Sequence, residues 1–359
     1  MNLAGATSFP NNGHSSLSPV VLNRSARARF GILKVLDELG HSAGAAKIAE
    51  MLEGTGIQLQ ARTVRFHLQR MDREGLTQSV TKHDGRVITD TGRKELARIN
   101  IMRKIGFVTS KMDELSFRMS LDPQSGQGAV IANAAIINKR DLSRALYHLH
   151  PVFDAGYSIG DRIAVRMPGM RAGGVEVPRE KVLISTICSI TLNGLFQKAG
   201  IPIVSRFGGL LEVEDHVPRR FTEIIDYQGT SIDPHKVFIM AGMTSSGLCA
   251  ARGSGIVGAS FREFPSAAIE EARKLINTFS RLNLGGVLAV GQPNRPLLDI
   301  TVAEGRTGMI TIAGLNPFAA LHEVGIPVEI NPLSGLEDLA TYVPFREVAP
   351  LGRRSTMVD

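Results

Sequence analysis

The sequence predicts an α/β chain: an N-terminal winged helix-turn-helix followed by a mixed α/β body built from two duplicated halves. Three observations predict it. Short segments of helical apolar periodicity and an Asp-Gly hairpin fill residues 23–103, strand and helix patterns alternate from residue 104 to 359, and words of that second region recur at a near-constant spacing. The length of 359 residues calls for more than one domain, since a domain takes roughly 150. With 43% hydrophobic and 21% charged residues the composition is globular, and no run approaches the ~18 apolar residues that span a bilayer. The first twenty residues have neither the basic start nor the apolar run of a secretion signal, so a cytoplasmic protein is expected. Cys188 and Cys249 are too few for a disulfide framework or a Cys-rich zinc site.

Residues 1–22 have turn composition without periodicity and are read as an unstructured tail. Phe30, Leu33, Leu36 and Leu39, with Ile32 and Val35, give the face of a first helix that ends at Gly40. Ser42 is expected to cap a second helix, Ala45 to Leu52, and a third runs from about Gln60 to Glu74 and stops at Gly75. Leu76–Val80 and Arg86–Thr89 then form a hairpin around His83-Asp84-Gly85, because Asp-Gly supplies the positive φ of a tight turn.

The third helix carries the first functional signal. Val64, Leu68 and Met71 fall at i, i+4 and i+7 and pack inward, leaving Arg62, Arg65 and Gln69 outward with Gln60 and Thr63 at the start. In a major groove, Arg binds guanine bidentately and Gln binds adenine. Lys82, His83 and Arg86 at the wing suit phosphate or minor-groove contacts, and His67 is read as a helix-surface residue. Charge agrees with this placement. Of the net +7, residues 1–103 hold 15 Lys+Arg against 9 Asp+Glu, or +6, while the remainder holds 26 against 25, or +1. A solvated basic surface would give the same count, and helix-turn-helix units also occur as packing units in enzymes.

In the body, strands are expected at Lys104–Thr109, Ala129–Ile137, Arg162–Met167, Val182–Cys188, Val237–Met243, Gly255–Arg262, Gly286–Val290 and Met309–Ala313. Asn138 is expected to cap one helix and Ser266 to start another, Ala267 to Leu282. The repeat is visible in the letters. G-Q-G-A-V-I-A (126–132) answers G-S-G-I-V-G-A (253–259), Gly200-Ile201-Pro202 answers Gly325-Ile326-Pro327, Gly209 answers Gly335, and Phe221 answers Phe345, at offsets of 127, 125, 126 and 124. The halves span about residues 125–225 and 252–350, and the seam of such a pair is a natural ligand cleft. Asn193 and Asn316 are expected to cap the helices that end at Gly200 and Gly325; free N–H groups at helix starts suit an anion.

The first half also carries S-T-I-C-S-I-T-L-N-G (185–194), R-F-G-G-L-L-E (206–212), P-R-R-F-T-E-I-I (218–225) and G-T-S-I-D-P (229–234). Arg206, Arg220 and Thr222 are candidates to hold a small dicarboxylate, since guanidinium pairs bidentately with carboxylate. Cys188, Ser189, Thr230 and Ser231 complete the candidate effector set, although a buried Cys188 and a solvated Arg219-Arg220 pair are the plainer readings of those residues. No catalytic set, metal site or dinucleotide fingerprint emerges, and no cofactor is expected.

The stretches R-T-V-R-F-H-L-Q-R-M-D-R-E-G-L (62–76) and T-D-T-G-R-K-E-L (89–96) resemble the winged helix of bacterial and archaeal transcription regulators. R-F-G-G-L-L-E, R-R-F-T-E-I-I-D-Y, T-S-I-D-P, F-R-E-F-P and L-N-P-F-A-A-L-H-E-V-G-I-P together resemble the NrpR regulatory domain, over about Lys104 to Val348. The resemblance implies a homodimeric repressor of nitrogen-assimilation genes that binds an inverted-repeat operator in double-stranded DNA and is controlled by 2-oxoglutarate. Some members of that family carry two regulatory domains where this chain carries one, and the resemblance brings no list of ligand residues. Two other readings stand beside it: the same architecture sensing a different metabolite or a thiol signal at Cys188, and an enzyme with an appended DNA-binding module.

Overall fold

A computed structural model describes residues 24–80, 85–102, 106–172 and 175–348 of the chain. The tail at 1–22, the wing residues Lys82 and His83 and the first two residues of the strand expected at Lys104–Thr109 lie outside the described residues. The chain divides into two compact units at residues 104 and 105.

In the first unit, α1 (Arg24–Leu39), α2 (Ala45–Glu53) and α3 (Ala61–Arg73) are followed by β1 (Thr77–Ser79), β2 (Arg86–Ile88) and α4 (Asp90–Met102). Ile32, Leu33, Leu36, Ile48, Leu52, Val64, Leu68 and Met71 form its core, so each helix contributes one apolar stripe. β1 and β2 pair antiparallel, and Gly85 before β2 has φ +80°, with no room for a Cβ against the Ala43 carbonyl. This is a winged helix. Two local expectations fail. Gly44, not Ser42, precedes α2, and no side chain caps it. His67 is buried rather than on the surface, because it completes the inward stripe beside Val64, Leu68 and Met71.

The second unit runs α5 (Phe107–Arg118), β3 (Ala129–Asn138), α6 (Leu142–Asp154), β4 (Arg162–Arg166), β5 (Arg171–Ala172), β6 (Val175–Glu176), β7 (Lys181–Ile187), α7 (Ile190–Lys198), β8 (Val204–Glu214), β9 (Val217–Asp226), α8 (Pro234–Met240), α9 (Ser246–Arg252), β10 (Gly255–Pro265), α10 (Ile269–Arg281), β11 (Val287–Val290), β12 (Arg306–Ile312), α11 (Asn316–Glu323), β13 (Val328–Asp338), β14 (Val343–Pro344) and α12 (Phe345–Val348). Its strands build two antiparallel five-stranded sheets, ordered β11-β12-β10-β8-β9 and β13-β3-β7-β4-β14. Each sheet takes three strands from one half of the body and two from the other. The registers correspond: Ala259 faces Gly209 in one sheet, and Ala132 faces Gly335 in the other. The halves are therefore interleaved rather than laid side by side. Ile131, Leu195 and Phe196 of the first half share a core with Phe261, Phe264, Phe279 and Ile310 of the second. A further cluster packs Leu146, Leu149 and Phe318 of α6 and α11 onto Ala135, Ile184 and Ile330.

Several expected elements change. Residues 107–109 open helix α5, since Val108, Met112, Leu115 and Met119 recur at helical spacing and are buried together. The strand expected at Val237–Met243 is also helical: Pro234 opens α8 and the Asp233 carboxylate accepts the Lys236 N–H. Asn138 bonds Asp141 through its side chain instead of capping backbone, and Ser266 begins a single 3-10 turn ahead of α10. The two expected asparagine caps are displaced inward. Asn193 is the fourth residue of α7, which follows Ser189, and Asn316 is the first of α11, which follows Leu315. The Asn316 amide instead bonds both the N–H (2.8 Å) and the carbonyl (3.0 Å) of Gly258, tying α11 to β10. Gly200 and Gly325 do end these helices, in left-handed conformations at φ +74° and +71°.

Candidate functional site

On α3, Arg62, Thr63, Arg65, Phe66 and Gln69 are exposed, as is Gln60 immediately before it. Arg62, Arg65 and Gln69 have no partner among the described residues, whereas Arg70 is engaged by Glu74, which also pairs with Arg29. Arg86 is occupied as well. Its guanidinium bonds Asp72 at 3.0 Å, and Asp72 also accepts the Thr77 hydroxyl at 2.6 Å, so these residues fasten the hairpin to α3. The helix thus offers a cationic, hydrogen-bonding face of the width a major groove admits.

In the second unit the starts of α7 and α11 meet at a small hollow. Its walls come from both halves: Asn133, Cys188, Ser189 and Ile190 from the first, and Gly314 and Leu315 from the second. Tyr227, Asp233 and His235, from the link between β9 and α8 and from α8 itself, close it. The free space inside it, about 20 Å³, is room for a single water, so a larger ligand must part its walls. Both helix starts bring the positive end of a helix dipole to one place. Gly314 allows this approach, because a Cβ there would stand 2.4 Å from the Ile187 carbonyl oxygen.

A second, closely packed recess without room for a water shares Ser189 with the first and is lined by Arg262, Leu192, Thr311 and Gly286. Arg262 is fully buried. Its Nη2 donates to the Ser189 hydroxyl at 2.7 Å, while Nε and Nη1 have no hydrogen-bond partner among the described residues. The Thr311 hydroxyl in the same wall is also unpartnered. The adjacent Glu263 gives no neutralisation, since successive strand residues face opposite sides and Glu263 pairs with Arg206. Burial pushes the Arg262 guanidinium down to about 10, against the opposing pull of Tyr227 and Cys188, so it remains charged at neutral pH. A buried cation with idle donors, beside a hollow where two helix starts converge, is an arrangement for an anion.

The same burial pushes the Cys188 thiol up to about 12, with Asp233 adding to the rise and Arg262 and the Ile190 backbone opposing it. Little thiolate exists at neutral pH, which counts against a thiol signal at this residue.

Of the effector residues expected from sequence, Cys188 and Ser189 lie in this wall. The others do not line either hollow. Arg206 is held by Glu263, Arg220 by Glu212 at 2.7 Å on an exposed strand face, and the Thr222 hydroxyl points to the Leu210 carbonyl. The Thr230 hydroxyl both donates to the Ile232 carbonyl and accepts its N–H, closing a local turn, and Ser231 beside it is half-buried. Sequence reasoning missed Arg262. Its signal was present in F-R-E-F-P: an arginine within a continuous apolar strand whose neighbouring glutamate must face away.

Comparison with known proteins places both units. Residues 105–342 match the family model described as NrpR regulatory domains NRD1 and 2, and residues 30–96 match that of the ribonuclease R winged-helix domain. The chain is 35% identical over 317 residues to the global nitrogen regulator NrpRI of Methanosarcina mazei, covering 88% of this chain and 97% of that protein. It is 30% identical to the global nitrogen regulator NrpR of Methanococcus maripaludis, covering 86% of this chain but 54% of the relative. A solved structure of a nitrogen repressor-like protein from Methanococcus jannaschii superposes with a TM-score of 0.56 at 29% identity, over 66% of this chain and 97% of that one.

Proposed function

The chain belongs to the NrpR family of nitrogen regulators, and on that premise we propose that it is a DNA-binding repressor of nitrogen-assimilation genes whose effector is 2-oxoglutarate, held at Arg262. The observation that carries the effector reading is the unneutralised buried guanidinium beside the meeting point of two helix starts. A dicarboxylate answers both features, and its entry parts the walls of both recesses, which together hold no more than a water in the free chain. One carboxylate takes the idle Nε and Nη1 donors of Arg262, and the other lies against the starts of α7 and α11. The Tyr227 and Ser260 hydroxyls, 3.0 Å apart, supply polar contacts close by. Asp233 is the one carboxylate in the wall and acts against anions in general, so shape and hydrogen bonding must select the ligand.

The binding site is single in each chain. By the register of the halves, the position in β3 that answers Arg262 in β10 is Ala135, which has no charge to offer. Two copies of the chain present two α3 helices to an inverted-repeat operator, each reading one half-site. Effector binding then favours an arrangement of the pair in which the helices no longer match the half-sites. Its influence equals the difference in its affinity for the two arrangements, about 1–3 kcal/mol in typical cases.

The test is titration of 2-oxoglutarate against a complex of the full chain with operator DNA at fixed salt. Operator affinity is expected to fall roughly 5- to 150-fold as the site fills. Unchanged affinity at millimolar 2-oxoglutarate removes that effector from the account.

A further inference from the structure

The outward stripe of α3 contains a residue that phosphate or guanine contacts leave unused. Arg62, Phe66, Gln69 and Arg73 succeed one another along the exposed side, opposite the buried Val64, His67, Leu68 and Met71. Phe66 is 64% exposed and is the one exposed aromatic among the described residues of this unit. Its ring lies T-shaped to that of His67, at 5.8 Å between centroids. The core already has its helical stripe complete without it.

We propose that Phe66 is a specificity-determining residue that reads thymine through its 5-methyl group. This rests on the DNA-binding reading of α3. The surroundings of Phe66 decide which occupant fits: Arg62 and Arg65 flank it without a carboxylate partner among the described residues, so the face as a whole demands a polyanion. An apolar protein groove would leave those cations desolvated and unpaired. The major groove satisfies both demands, with phosphates and guanine edges for the arginines, and one apolar group among the bases, the thymine methyl. From the centre of the stripe, Phe66 meets base edges between the positions read by Arg62 and Gln69. Covering one methyl group strengthens binding about fourfold.

The experiment selects binding sites with the full-length chain from a random-sequence duplex library made with thymidine and from the same library made with deoxyuridine, which lacks only the methyl. Wild-type chain and Phe66→Ala are run at one salt concentration, and the enriched duplexes are then titrated. The wild type is expected to enrich a motif with a fixed thymine in each half-site and to bind the deoxyuridine form about fourfold more weakly per half-site. Phe66→Ala is expected to lose the preference at that position alone and to bind both forms equally. Equal wild-type affinity for the thymidine and deoxyuridine forms overturns the proposal, as does a Phe66→Ala defect that is the same size on both. A wild-type chain that enriches no motif from either library overturns the DNA-binding reading itself, and this proposal with it.

Discussion

Arg166 and Arg262 are both buried, one on β4 and one on β10, in different sheets of the same body. Their surroundings differ in one respect. Arg166 donates from Nη2 to the Glu337 carboxylate at 2.7 Å and to the Thr341 hydroxyl at 3.0 Å, and Ser185 donates to the other Glu337 oxygen at 3.0 Å. Among the described residues Arg262 has a hydroxyl and nothing anionic within hydrogen-bond reach. A guanidinium is too basic to shed its charge, so each must be neutralised by something else. The chain neutralises Arg166 from within, which makes it structural. Arg262 has no such internal counter-charge among the described residues, which is the feature the proposed anion site rests on. His67, in the winged helix, shows the third solution: it meets burial by remaining uncharged.

Substitution separates the two arginines. Arg166→Met strands Glu337 as a buried carboxylate and is expected to lower the stability of the body by about 3–5 kcal/mol in urea unfolding. Replacing Glu337 by Leu in the same chain should recover most of that loss, since a buried pair exchanged for apolar side chains is often neutral. Arg262→Met removes a charge that had no partner, so the free protein should unfold at an equal or higher urea concentration. A large loss of stability would mean that Arg262 is structural after all, and the contrast between the two residues would fail.

The smallest effect belongs to His67. Burial, then Arg29 and Arg70, hold its pKa below the ordinary 6.5. The unfolded chain therefore binds a proton that the folded chain refuses. Stability from this source is fully present above about pH 6.5 and declines as pH falls towards the folded-state value. Amide exchange of α3 in the full chain should accelerate over that range, and His67→Gln should flatten the dependence. An α3 equally protected on both sides of pH 6.5 would place His67 in a wetter site than its packing indicates.

The winged helix and the alternating body were legible because their signals are local: the stripe Val64-Leu68-Met71, the Asp-Gly turn, the apolar strands. Two short helices were not. Phe107-Val108 and Val237-Phe238-Ile239 are β-branched and aromatic runs of strand composition, and what makes them helical is packing of Met112 and Leu115 in one case and capping by Asp233 in the other. The exchange of strands between halves has no local signature, because pairing partners such as Ala259 and Gly209 are fixed by tertiary register. The candidate site divides in the same way. Cys188 and Ser189 were legible within the polar stretch S-T-I-C-S-I-T-L-N-G. Arg206 and Arg220 were chosen because guanidinium pairs with carboxylate, and the carboxylates of Glu263 and Glu212 in the chain itself already satisfy them. Arg262 was hidden because adjacency to Glu263 in sequence suggests a pair that the strand's alternation forbids.

The most direct test is calorimetric titration of 2-oxoglutarate into the full-length chain and into its Arg262→Met variant, with a thermal melt showing both folded. The account predicts one saturable site per chain in the wild type and none in the variant. Equal binding by both proteins, or a wild type that takes up no ligand at millimolar concentration, would contradict it.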